Sequence, residues 1–265
     1  MFEFEFMQRA LVAAVTIGVV CGLLGFFVIL RRLAFIGVGI SHSALGGVAV
    51  GILIGVNPLF TGAVFAIGVA LAIAWLSPRT RLSEDAVIGV FFSGSMALGV
   101  VLFSMKRGYQ QDLFGYLFGN VLAVSSEELR AFLLLGAGIV LVLALLFRDL
   151  LFISFDEEIA RAYGHRVDLL NAILLFLVAV TVVIGVRLVG VLLIQALLVI
   201  PAAIAALWAT HYRGQLMIAS GVGALCGALG LVLSYQLDIA AGGTIVLVAT
   251  VLFLGSIVAR QGRGA

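Results

Sequence analysis

Charge is what this chain has least of. Aspartate, glutamate, lysine and arginine together make up 11% of its 265 residues, against about 25% in an ordinary globular domain, while 64% of the residues are hydrophobic and only three are proline. That balance excludes a soluble globular protein and points to one that crosses a membrane. Cysteine occurs twice, as Cys21 and Cys226. Neither forms a CxxC pair, both fall inside apolar runs, and both read as small core residues. There is no phosphate-binding GxxxxGK[ST] loop and no HExxH motif, and FFSGS at 91–95 lacks the first glycine of a serine nucleophile elbow. The net charge of +2 has no basic cluster interleaved with aromatics behind it, so nucleic acid is not expected as a partner. The chain is not expected to be an enzyme, and any uphill transport by it must draw its energy from another subunit.

What is present is a series of long apolar runs. Windows of about 19 residues give nine candidate spans, near 8–30, 34–55, 58–77, 86–104, 128–147, 168–187, 188–209, 214–235 and 239–259, each close to the roughly 20 residues that cross a bilayer as helix. The sixth and seventh meet at Arg187 almost without a loop, so a count of eight with one broken helix stays open. The expected fold is an all-α polytopic membrane protein of eight to nine helices, forming one transmembrane domain over residues 1–265. MFEFEF at the start carries Glu3 and Glu5 where a signal peptide would carry basic residues, so the N-terminus is expected to be retained. Basic residues favour cytoplasmic loops. With the N-terminus outside, ten arginines (31, 32, 79, 81, 148, 161, 166, 213, 260 and 263) fall inside. Arg9, Lys106, Arg107, Arg130 and Arg187 then fall outside. This predicts a cytoplasmic C-terminus and a multi-pass protein of the cell (inner) membrane.

No carboxylate lies at mid-membrane in this segmentation. All thirteen acidic residues fall at span ends or in loops, with Glu84 and Asp85 opening the fourth span. Carriers driven by protons or sodium need buried acids or unwound polar segments to take up the driving ion. Their absence argues against a self-powered transporter.

One ionisable side chain does sit deep. In LAFIGVGISHSALGGVAVG, residues 33–51, His42 stands between Ser41 and Ser43 about 12 Å into the second span. Two readings are open: a neutral histidine bonded to a neighbouring helix, or a ligand for a passing metal ion, imidazole being the commonest metal ligand. Ser41 and His42 are not expected to act as nucleophile and base, because adjacent residues on a helix point about 100° apart. Gly39, Ser43, Gly47, Gly51 and Gly55 recur at intervals of four, an extended ridge of small residues that lets another helix come close. Gln195 is a lone amide in the seventh span, suited to an interhelical bond or to contact with a cargo.

Between the fifth and sixth spans lies the one sizeable cytoplasmic loop, residues 148–168. Ser154 followed by Glu157 reads as a capping box, so a short helix is expected to begin there and stop near Gly164. Phe155, Ile159 and Tyr163 fall on one face of it. Its acidic start, Asp156, Glu157 and Glu158, disfavours anionic lipid, which leaves docking into the groove of a soluble partner.

Five segments together resemble the ABC-3 family, the membrane subunits of zinc, manganese and iron ABC importers. They are RRLAFIGVGISHSALGGVAVG (31–51), RLSEDAVIGVFFSGSMALGVVL (81–102), DLFGYLFGNVLAVS (112–125), FDEEIARAYGHRV (155–167) and VRLVGVLLIQALLVIPAAIA (186–205), in the family's order. The resemblance implies a permease like those of type II ABC importers, working as a homodimer or a pair of related permeases. Its partners would be a cytoplasmic ABC ATPase dimer, which hydrolyses the ATP, and an extracytoplasmic metal-binding protein. A divalent metal ion would be cargo, with no permanently bound cofactor. Phe155, Asp156, Glu157, Ile159, Ala160, Tyr163 and Gly164 would form the element seated on the ATPase. The family's second span commonly reads G-D-A-L-S-H, with a carboxylate one turn before the histidine. Here Val38 stands at that position, leaving His42 to act alone, with a dimer mate, with Ser41 or Ser43, or with backbone carbonyls. Glu84, Asp85 and Gln195 are further pathway candidates. Imidazole without carboxylate leans toward zinc over manganese. A permease for a metal chelate and a secondary carrier without an ATPase are the alternatives.

Overall fold

The computed structural model of the protein describes residues 4–80, 82–105 and 124–261. Arg81, Lys106, Arg107, Arg263 and most of the 112–125 segment lie outside the described residues. The helices are α1 (Glu5–Leu30), α2 (Ile36–Ile54), α3 (Pro58–Leu76), α4 (Glu84–Met105), α5 (Ser126–Phe155), α6 (Glu157–Ala162), α7 (Val167–Val189), α8 (Val191–Trp208), α9 (Tyr212–Leu237) and α10 (Ala241–Gln261). A 3₁₀ turn, Ser77–Arg79, extends α3. Among the described residues, nine helices are long and apolar enough to span a membrane; α6 is the exception.

Local chemistry accounts for several of the boundaries. Pro58 sits at the first turn of α3, where its missing N–H costs nothing. The Asn57 side chain accepts from the backbone N–H groups of Leu59 and Phe60 at 3.0 and 3.4 Å, capping orphan donors. α2 ends where Gly55 takes φ +75°. Gly190, at φ +90°, is the N-cap of α8 and divides the sixth and seventh spans into two helices, so nine membrane-length helices stand among the described residues.

Two expectations change. α5 does not stop near 147 but runs 30 residues to Phe155, about 45 Å at 1.5 Å per residue and so longer than the roughly 30 Å hydrocarbon layer. Arg148 and Asp149 end the hydropathy window, but neither breaks a helix. The capping box is also elsewhere. Ser154 Oγ donates back to the Leu150 carbonyl at 2.6 Å, and the cap of α6 is Asp156, whose Oδ1 accepts from Ile159 N at 2.9 Å. A capping box does form at Ser125 and Glu128. Glu128 N donates to Ser125 Oγ at 3.2 Å and Ser125 N donates to Glu128 Oε2 at 3.1 Å, which starts α5.

The described residues gather into two compact units. One holds the described residues within 1–31, 114–145 and 184–265, with α1 packed on α8 and α9, and α10 on both of these. Gly18 and Gly22 of α1 lie directly on the backbone of Gly223 and Ala219 of α9. A Cβ built at Gly22 would fall 2.5 Å from the Ala219 carbonyl oxygen, so only glycine permits that approach. The other unit holds the described residues within 32–113 and 146–183. In it α2 packs on both α3 and α4, and the ends of α5 and α7 flank α6.

Candidate functional site

α2 carries its polar side chains on a helix that is otherwise apolar and rich in glycine. Its packing on α4 follows the one-turn spacing, three or four residues, of a helix face. Gly39 receives the Ile88 side chain, with a built Cβ only 2.6 Å from Ile88 Cγ2. One turn further along each helix, the His42 ring meets Phe92 edge to face, with centroids 5.2 Å apart and planes at 75°. Glu84 lies one turn before Ile88, on the same face of α4, and is half-buried; Asp85, one residue on, is exposed.

The imidazole is oriented by its own helix. His42 Nδ1 is 3.0 Å from the Val38 carbonyl oxygen, a contact met by the Nδ1–H tautomer, which leaves Nε2 with its lone pair. Ser41 Oγ donates to the same carbonyl at 3.1 Å. It also lies 3.3 Å from His42 Nδ1, so the serine and histidine do touch, contrary to the expectation from helical geometry, because both side chains fold back toward Val38. They still do not form a nucleophile and base, since the hydroxyl proton is given to the carbonyl and Nδ1 carries a proton of its own. Ser43 Oγ is buried and donates to Gly39 O at 2.6 Å. Ser41 and Ser43 therefore brace α2, and Nε2 is the ring nitrogen of His42 that the Val38 carbonyl does not hold.

The other residues of the ridge separate by role. At Gly47 the first neighbour of an added Cβ is Phe65, and at Gly51 it is the Thr61 hydroxyl, both from α3. Gly55 is not a packing residue: nothing lies within 4 Å of a Cβ built there, and its glycine serves the left-handed turn. Gln195 sits half-buried on α8 and belongs to the other unit. Among the described residues, no three His, Cys, Asp or Glu side chains gather to hold a metal ion.

A second feature surrounds α6. Phe155, Ile159 and Tyr163 are 70%, 48% and 77% exposed, while Ala160 is fully buried. At its end, Gly164 takes φ +85°, the His165 N–H reaches Ala160 O and the Gly164 N–H reaches Arg161 O, both at 3.0 Å, a complete Schellman motif. His165 Nδ1 then lies 3.3 Å from Asp149 Oδ1, with its ring 5.1 Å from Phe152. Tyr163 packs on Phe152 as well. The Arg161 guanidinium donates to Asp168, which raises its pKa above the ordinary value. Phe92, Asp149, Phe152 and Asn171 were not candidates from sequence. Phe92 had a legible signal in its four-residue spacing from Ile88, whereas Asn171 had none.

The family comparison agrees with this architecture. The model of the ABC 3 transport family matches residues 3–260. Manganese import system permease protein ScaB of Streptococcus parasanguinis is 38% identical, over 95% of this chain and 90% of its own length. Manganese transport system membrane protein MntC of Listeria monocytogenes is 37% identical, over 96% and 90%. A solved structure, PsaBC from Streptococcus pneumoniae in complex with Fab, aligns with a TM-score of 0.81 at 36% identity, covering 96% of this chain and 91% of that one. With a family match along nearly its whole length, lying on nine membrane-length helices among the described residues, this chain belongs to the ABC 3 transport family.

Proposed function

We propose that the chain is the membrane-spanning permease of an ATP-driven importer that carries a divalent metal ion, manganese as principal cargo, into the cytoplasm. The observation that carries this reading is the near-full-length likeness to two permeases named for manganese import. It outweighs the lean toward zinc that imidazole without carboxylate gave. In this reading His42 Nε2 meets the ion inside the membrane and a second copy of the chain supplies a second such nitrogen. An extracytoplasmic binding protein delivers the ion. The exposed face of Phe155, Ile159 and Tyr163 docks on the ATPase dimer, with Asp156 and Gly164 fixing where α6 starts and stops. The N-terminus then faces outward and the C-terminus the cytoplasm, in the cell membrane.

The test is uptake of radiolabelled manganese, zinc and iron into cells expressing this chain with its ATPase and binding protein, comparing wild type with His42→Ala. Manganese uptake that needs ATP hydrolysis and falls to background in the variant, at equal protein level, is the expected result. Uptake that survives the substitution returns His42 to a packing role on Phe92. Uptake indifferent to the ATPase favours a secondary carrier, and preference for zinc restores the donor-chemistry argument.

A further inference from the structure

α6 is joined to α7 by side chains as well as by the turn at Gly164. Asn171, one turn into α7 and only 5% exposed, donates its amide to Glu157 Oε1 at 3.2 Å. Arg161 donates to Asp168 Oδ1. Glu157 and Arg161 are one turn apart on α6, and Asp168 and Asn171 are one turn apart on α7, so each pair shares a helix face. The chain reverses between them, and the contacts form two rungs: Arg161 to Asp168 near the turn, Glu157 to Asn171 further out. The turn itself rests on α5 through His165 with Asp149 and through Tyr163 with Phe152.

The rungs differ in what they contribute. Arg161 and Asp168 are about half exposed, and such a pair holds register more than it stabilises. The Asn171 side chain is buried, and a hydrogen bond shielded from water is stronger than an exposed one, so this rung resists separation of the two helices. The apolar residues Phe155, Ile159 and Tyr163 remain exposed, free to meet a partner while the rungs hold α7. We propose that the Glu157–Asn171 and Arg161–Asp168 contacts are the joint through which displacement of α6 is passed to the membrane-spanning helix α7. This rests on the reading of α6 as the ATPase-docking element.

The test uses the purified permease–ATPase complex in lipid nanodiscs, with an environment-sensitive fluorophore on a single introduced cysteine, Glu158→Cys on α6 or Leu169→Cys on α7. Both positions are exposed, whereas Cys21 and Cys226 are buried and remain unlabelled. Trapping the ATPase with ADP and vanadate is expected to shift the emission at both positions. Adding Glu157→Ala is expected to keep the shift at 158 and abolish it at 169, and Glu157→Gln, which retains an acceptor for Asn171, is expected to restore it. A shift at 169 that survives Glu157→Ala overturns the joint. Loss of both shifts in Glu157→Ala also overturns it, since Glu157 would then hold α6 to the ATPase rather than to α7. No shift at 158 without the Glu157 substitution overturns the docking reading itself, an outcome distinct from failure of the joint alone.

Discussion

The two units both bring helices together over glycine, but against different surfaces. Where α1 meets α9, backbone lies on backbone: a Cβ at Gly18 would fall 2.5 Å from the Gly223 carbonyl carbon, and one at Gly227 the same distance from Ala14 O. Along α2 the surfaces are mixed: the first neighbour at Gly39 and Gly51 is a side chain, Ile88 or Thr61, whereas at Gly46 it is the Ser95 carbonyl oxygen, 2.8 Å away. Backbone has nowhere to go, whereas a side chain can shift by a few tenths of an ångström. The α1–α9 seam is therefore suited to a fixed scaffold. α2 has some give where Gly39 meets the Ile88 side chain, three residues from the imidazole.

Substitutions can break this contrast. The largest effect is expected at Gly18→Ala, where the new methyl meets the Gly223 backbone: about 3 kcal/mol of lost stability, read as a lowered thermal midpoint in detergent. A loss under about 1 kcal/mol would mean the seam opens as readily as the α2 face. Val38→Asp comes next. It places a carboxylate one turn from His42 at a half-buried position, which costs about 2–3 kcal/mol inside a membrane. Manganese is expected to return much of that by binding carboxylate and imidazole together, and the same melting experiment with and without the metal reads it. If manganese gives the variant no added protection over wild type, residue 38 does not face the ion's path. The smallest effect is expected at Gly39→Ala, about 1 kcal/mol, because the Ile88 side chain can yield. A loss equal to that of Gly18→Ala would erase the distinction between the two faces.

Much of this was legible without coordinates. Long apolar runs cross a membrane because the bilayer rewards them wherever the chain puts them, so spans, class and the isolation of His42 follow from composition and spacing. The end of α5 was not legible, because charge ends a hydropathy window but does not end a helix. Nor was the cap of α6, since Ser154 and Asp156 are both good caps and only the length of α5 chooses between them. The touching of Ser41 and His42 was missed because helical spacing fixes where side chains begin and not where their rotamers turn.

Sequence by itself determined that this is a polytopic membrane protein of eight or nine spans with one imidazole among apolar residues and one amphipathic segment outside the spans. Both are properties of local composition and period. Tertiary structure alone decided that His42 packs on Phe92 while its Nδ1 is tied to Val38, that Gly55 is a turn rather than a contact, and that Asn171 reaches back to Glu157. Each of these joins residues whose meeting depends on helix register and rotation, and register is set by packing across the whole unit, which no single segment contains.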